Sequence, residues 1–315
     1  MIESGSHTRG IDPADFALPP HTALRYELPD SALRGCLTDY YVLDSEGPEA
    51  QGAVNWLLPT WPTIRLLLTD RPIALQIGWR GYDPLPAAAL YGTTSRAMRM
   101  TSHGGVTIGV GLKPLGWARL FRARADVYRD RVAPLAEVMA TDTVAELVEA
   151  LRACDQGPAV KPLLDRFFAE RLGAAHPDEP LIARLSALIA DDETHDLSTA
   201  CERVGIAPAV LRRLSTRYFG FPPKTLLIRT RFLRSFVRMM LADGEPDYSG
   251  IAPTYFDASH FLRDAYRFLG MTPRRFLRQA QSPYARAVLR ARLLVREADR
   301  RVGAEREIGR AVTTG

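Results

Sequence analysis

Only three of the 315 residues are cysteine, and Cys36, Cys154 and Cys201 lie far apart. An odd, scattered set excludes a disulfide framework and a cysteine-based zinc module, and it fits a reducing, cytoplasmic setting. Lysine is equally scarce: Lys113, Lys161 and Lys224 are the full set, so arginine carries nearly all the positive charge. Long apolar runs are missing as well. The strongest, residues 54–59, 64–68 and 226–228, fall far short of the roughly 20 residues that span a bilayer. The first ten residues are polar and show no apolar core of a secretory signal. His7, His21, His103, His176, His195 and His260 fall in different segments, none at the H-x-H or H-x₃-H spacing of a metal site. Gly104-Gly105 and Gly109-x-Gly111 lack the strand–loop–helix setting and the following Lys or acid of a phosphate loop, and read as strand turns. No catalytic group, cofactor site or metal site is expected.

What is present describes a foldable chain. Hydrophobic residues make up 46% and charged residues 24%, the range of an ordinary globular protein with a sizeable core. At 315 residues two domains are the first expectation. The net charge of +5 hides an asymmetry. Residues 181–315 hold 23 Lys and Arg against 14 Asp and Glu, whereas residues 1–180 hold 18 against 22. A basic C-terminal part behind an acidic N-terminal part suggests a polyanionic partner. The plainer explanation is a GC-rich genome that favours arginine codons.

From about 20 to 125 the pattern is of strands and turns. Apolar stretches at 54–58, 64–68, 73–79 and 106–112 alternate with Gly and Pro punctuation, as in an antiparallel sandwich or barrel. Trp56, Trp61, Trp79, Tyr82 and Tyr91 in this region could line an apolar effector pocket or belong to the sandwich core. From about 114 the period becomes helical, with Val144, Leu147, Val148 and Leu151 recurring at three to four residues. Residues 173–180 read as a linker and the remainder as helices. A final stretch, 283–312, carries Ala287, Ala291, Leu294 and Ala298 on one stripe, with arginines elsewhere. It suits an extra helix on the C-terminal domain, a dimer contact or a basic arm on DNA.

An internal repeat runs at an offset of 50. Leu211 matches Phe261, Arg213 matches Arg263, Arg217 matches Arg267, Gly220 matches Gly270, Pro223 matches Pro273 and Leu227 matches Leu277. Each unit is a helix closed by Gly, followed by Pro at the start of the next helix. The first unit has the grammar of a helix-turn-helix. A short helix over 197–204, capped by Asp196 or Ser198, places the small Cys201 four residues before Gly205. Gly205 takes the left-handed turn, Ile206 plugs the core, and Pro208 opens a second helix running to Phe219. That helix presents Ala209, Arg212, Arg213 and Thr216 outward while Val210, Leu211 and Leu214 point inward. Arg212 or Arg213 could bond guanine edges in a major groove, with Arg217 and Lys224 on phosphates. An ordinary helical hairpin with a solvated arginine face is the alternative.

These residues resemble the tandem helix-turn-helix domain of AraC/XylS family transcription regulators. The most specific stretch is Tyr255-Phe-Asp257-Ala-Ser259-His260-Phe261-Leu-Arg263-Asp, followed by Gly270-Met271-Thr272-Pro273. In the first unit Gly220-Phe-Pro-Pro223-Lys and Arg231-Phe232 match family positions. Val110-Gly-Leu-Lys-Pro114-Leu-Gly116-Trp117 and Pro134-Leu135 are similar to the sensor-like domain of some members. The resemblance implies an α+β N-terminal domain, an antiparallel β sandwich or barrel followed by helices, and an all-α C-terminal domain with two helix-turn-helix units. It implies boundaries of 19–175 for a sensor or dimerisation domain and 181–280 for DNA binding; outside the resemblance, 1–18 is expected as a flexible lead and 281–315 as a basic helical tail. It also implies a structural His260 and a DNA face made of Ala209, Arg212, Arg213, Thr216, Arg217 and Lys224, then Ala258, Ser259, Leu262, Arg263, Arg267 and Arg274. Double-stranded DNA is the expected partner, with a small-molecule effector and a homodimer as further candidates and no membrane.

Three departures stand out. Pro253 and Thr254 replace the end of the helix that precedes the signature, as though two residues were missing. Ser215 and Ala265 stand where the family has a core Phe, a loss that Tyr218 or Tyr266 would have to fill. In the second unit only Arg263 is a strong base-reader. A competing reading is therefore a protein-interaction module that kept the fold while its second helix-turn-helix lost DNA reading.

Overall fold

The computed structural model describes residues 1–191, 201–203, 205–242, 251, 255, 257–279 and 283–313, with side chains as far as Arg301. Ten strands form two antiparallel sheets among these residues. β1 (Thr22–Glu27), β2 (Leu37–Ser45), β9 (Gly105–Leu112), β4 (Thr63–Leu68), β7 (Ala88–Tyr91) and β10 (Val132–Pro134) lie side by side in that order. β3 (Ala53–Leu57), β8 (Met98–Ser102), β5 (Ala74–Ile77) and β6 (Arg80–Tyr82) make the smaller sheet. The expected antiparallel architecture is present.

Alternation along the strands explains why both faces of the larger sheet are buried. On one face Tyr40, Val42, Ile64, Leu66, Ile108 and Val110 meet α1 (Pro114–Leu120), α2 (Thr141–Ala153) and α3 (Val160–Arg171). On the other, Leu67, Ala89 and Tyr91 meet the small sheet through Leu75, Ile77 and Met98. Gly104 and Gly105 sit at a turn with φ of 85° and 93°. Gly109 and Gly111, expected as turns, instead lie inside β9. The Tyr41 ring covers Gly109 so closely that a Cβ there would fall 2.0 Å from it. Close approach across the ladder, rather than reversal of the chain, is what glycine supplies at this point.

The segment similar to a sensor-like domain also has a physical account. β9 runs into Pro114 at the start of α1, where its missing N–H costs nothing. Gly116 lies against the Cys36 carbonyl, 2.1 Å from where a Cβ would be, and Trp117 is fully buried.

The C-terminal region is all-helical: α4 (Glu179–Ala190), α5 (Pro208–Leu214), α6 (Pro223–Leu241), α7 (Ala258–Leu269), α8 (Pro273–Gln279) and α9 (Pro283–Thr313). The long α6 joins two cores. Leu226 and Leu227 pack with Leu185, Leu211, Leu214 and Phe219 in the first unit. Phe232, Phe236 and Met240 pack with Phe261, Phe268 and Phe276 in the second. No helix among the described residues is long and apolar enough to cross a membrane.

Helix α9 takes a place that the sequence did not indicate. Its stripe of Ala287, Ala291 and Val295 is fully buried, and the last two pack with Phe16, Leu24, Tyr26 and Leu28 at the edge of the large sheet. Arg292 and Arg296 reach Asp39 at 3.3 and 3.5 Å, and Arg34 pairs with Asp299 at 2.7 Å. Residues 1–18, expected as a flexible lead, lie against the same edge. Gly5 bridges Arg25, and the Ile2 amide donates to Asp44.

Candidate nucleic-acid interface

The two units of the repeat build the same local structure from different side chains. In the first, Gly205 has φ of 68°, the left-handed turn that the sequence called for, and Ile206 packs beside the core. Residues 201–203 are helical; the rest of the 197–204 helix and its cap lie outside the described residues, as do Pro253 and Thr254. Pro208 opens α5, and the final turn, Ser215–Phe219, widens to i→i+5 bonding before Gly220 closes it at φ 85°. The corresponding helix of the second unit, α7, is α-helical throughout. Asp257 caps it by accepting from the His260 amide at 2.7 Å, and Gly270 closes it at φ 76°.

Each expected DNA-facing side chain lies on an outer surface. Ala209, Arg212, Arg213, Arg217 and Lys224 are exposed in the first unit, with Thr216 half-buried. Ala258, Ser259, Arg263, Arg267 and Arg274 are exposed in the second, with Leu262 half-buried. The offset of 50 carries into the side-chain geometry. Arg217 lies over the Tyr218 ring at 5.5 Å and Arg267 over the Phe268 ring at 5.2 Å. Thr216 is less available than its exposure suggests, because its hydroxyl donates to the Arg212 carbonyl at 2.6 Å.

The signature residues of the second unit form a polar cluster under α7. Asp264 accepts from the Tyr255 hydroxyl at 2.9 Å and from Arg231 at 3.1 Å. Arg231 also lies over the Tyr255 ring at 4.4 Å, and His260 stands edge-on to it. Burial and the neighbouring Asp264 carboxylate push the Tyr255 hydroxyl above its ordinary range. His260 contacts Arg231 at 3.3 Å and so ties α7 to α6.

The two absent phenylalanines are compensated differently. Ser215 is fully buried and its hydroxyl donates to the Phe221 carbonyl at 2.6 Å. Tyr218 is buried, and its hydroxyl donates to Asp178 at 2.7 Å. Burial and Asp178 raise that hydroxyl to about 12. Ala265 sits within the cluster of Phe232, Phe261 and Phe268. Tyr266, 57% exposed, fills nothing.

Contacts with the N-terminal domain were not legible in the sequence. The Ala97 amide donates to the Phe268 carbonyl at 2.7 Å, at the end of α7. Thr93 lies so close to Gly220 that a Cβ there would be 3.2 Å away. Trp56 packs edge-on to Phe276 and Trp61 to Phe219. The five aromatic residues considered for a pocket therefore separate. Trp56 and Trp61 meet the helices, Tyr91 is core, Tyr82 accepts from the Val132 amide, and Trp79 is 83% exposed. Arg229 on α6 stacks over Trp61 at 4.8 Å with no ion pair among the described residues. Its burial lowers the guanidinium to about 10. The one signal for it was an arginine directly after Leu226-Leu227-Ile228.

No protein-family model matches this sequence, and no curated protein matches it. Among solved structures the chain is similar to an apo variant of ToxT from Vibrio cholerae, at 12% identity and a TM-score of 0.43 over 77% of this chain and 97% of that one. A fatty-acid-bound wild-type ToxT matches at 11% identity and a TM-score of 0.42 over 84% and 98%. The AraC-like transcriptional activator CuxR matches at 14% identity and a TM-score of 0.25 over 73% and 90%.

Proposed function

We propose that the chain is a sequence-specific DNA-binding transcription regulator whose α+β domain senses an effector or dimerises. The observation that supports this most is the pair of equivalent helices, α5 with its final turn and α7, each with exposed arginines on its outer side. They are joined by a 19-residue helix. At about 1.5 Å per residue α6 is roughly 28 Å long, comparable to the roughly 34 Å between successive major-groove segments on one DNA face. Arg212 and Arg213 are the base-reading candidates, and Arg217, Lys224, Arg267 and Arg274 would contact phosphates. Selection of genomic DNA fragments by the purified full chain at two salt concentrations tests the reading. Enrichment of a common motif supports it, and a bound pool no different from the input removes it.

A second reading, a protein-interaction module with degenerate DNA reading, draws on one observation. Ala258 and Leu262 flank Arg263 without a hydrogen-bonding group. Under that reading the selected motif would span one major-groove segment or none.

A further inference from the structure

The smaller sheet carries a feature that the helical units do not use. Trp79 sits at the tip of the β5–β6 hairpin, 83% exposed, with the Arg80 guanidinium over its ring at 4.4 Å. Beside it lies a cleft of about 190 Å³ whose walls include Arg80, Arg96, Arg129 and Asp130. All three arginines are exposed, and none forms an ion pair with a described residue. Nearby carboxylates are engaged elsewhere. Asp130 accepts from the Ser95 amide and hydroxyl, and Asp126 accepts two bonds from Arg124. The result is a patch of three exposed guanidinium groups around one carboxylate, Asp130, positive on balance, on a domain whose overall charge is negative.

The patch is linked through backbone contacts to both helical units. Arg96 is one residue from Ala97, whose amide holds the carbonyl of Phe268 at the end of α7. Arg267 precedes Phe268 in the chain and is exposed. Arg129 is one residue from Asp130, whose amide donates to the carbonyl of Thr93, the residue packed on Gly220 at the end of α5's final turn. Arg217 is exposed on the turn that Gly220 closes. Arg96 and Arg129 are thus sequence neighbours of residues bonded at, or beside, the ends of these two helices, where Arg267 and Arg217 are themselves exposed. Guanidinium groups match phosphate oxygens in geometry as well as charge.

We infer that Arg80, Arg96 and Arg129 contact the phosphate backbone of duplex DNA between the segments gripped by the two helix-turn-helix units. This inference rests on the DNA-binding reading above. It adds that the N-terminal domain belongs to the DNA footprint instead of merely carrying the sensor.

Equilibrium titration of the full chain against the selected duplex and a random duplex, at several salt concentrations, tests it. Each lost phosphate contact reduces the salt slope by about 0.9. The triple variant Arg80→Ala/Arg96→Ala/Arg129→Ala is expected to show a slope shallower by about two to three. Affinity should fall at least tenfold at low salt, equally on both duplexes. Arg80→Glu alone, at a hairpin tip where folding is not at stake, should lower the slope by about one or more. Arg152→Ala/Arg166→Ala, exposed positions on α2 and α3, controls for net charge and should change little. Unchanged slope and affinity in the triple variant, with wild type still binding its motif, overturn this inference and leave the DNA-binding reading intact. An equal loss in the control variant also overturns it. Absence of wild-type binding overturns both.

Discussion

Replacing Arg229 with methionine should make the protein more stable, although it removes the stacking contact at the centre of the domain junction. The guanidinium is 1% exposed, has no ion pair among the described residues, and leaves its Nε without a hydrogen-bond partner. The fall to about 10 spans between two and three tenfold steps in proton affinity. At about 1.4 kcal/mol per step, the buried charge costs about 3 kcal/mol. Stacking on Trp61 at 4.8 Å returns about 2 kcal/mol for a desolvated pair. Methionine keeps the aliphatic packing without the charge, so Arg229→Met should gain about 1 kcal/mol, in the direction found when buried charges give way to apolar residues of similar size. The pH dependence has a definite sign. Below about 10 the arginine is charged in both folded and unfolded chains and the cost is constant. Above it the folded form sheds its proton first, wild type gains relative stability, and the advantage of methionine shrinks. Urea unfolding followed by tryptophan fluorescence at pH 7 and 10.5, on wild type and variant, measures both effects. A loss of more than about 1 kcal/mol at pH 7, or an advantage that grows with pH, would refute the reasoning.

Four further outcomes can be checked separately. Arg213→Ala should cost about 1–3 kcal/mol of binding to the selected duplex and relax sequence preference if this residue reads a guanine; a folded variant with unchanged affinity and specificity removes the assignment. Arg263→Ala should weaken specific and random duplexes alike and lower the salt slope by about one, the signature of a phosphate contact; a loss confined to the specific duplex would show base reading instead. The raised Tyr218 hydroxyl makes folded wild type lose stability as pH rises from about 10 through about 12. Tyr218→Phe should abolish that component, seen as a flatter stability–pH curve over the same window. Ala291→Glu puts a carboxylate into the cluster of Phe16, Leu24 and Tyr26 and should cost about 3 kcal/mol or more; an unchanged melting curve would mean that α9 does not hold that position in solution.

The local elements were legible in the sequence because each is specified by a few neighbouring residues. Gly205, Gly220 and Gly270 have the positive φ that their turns require, and Pro208, Pro223 and Pro273 open helices. The offset of 50 reappears as two units sharing α6, since residues three and four apart on a helix declare one face without reference to the rest of the chain. The outward position of Arg212, Arg213 and Arg263 followed from the same periodicity. Three features depended on tertiary structure. The stripe of Ala287 and Ala291 suited an extra helix on the C-terminal domain, a dimer contact or a basic arm on DNA, and only the fold puts that face against β1. Gly109 announced a need for space, but only the Tyr41 ring across the ladder shows what fills it. Arg229 and the seam of Arg96 and Arg129 arise where segments more than 100 residues apart meet. Periodicity reports which side of an element avoids water; the surface that covers it, and the charges stranded at the junction, are set by contacts between distant segments that no local pattern encodes.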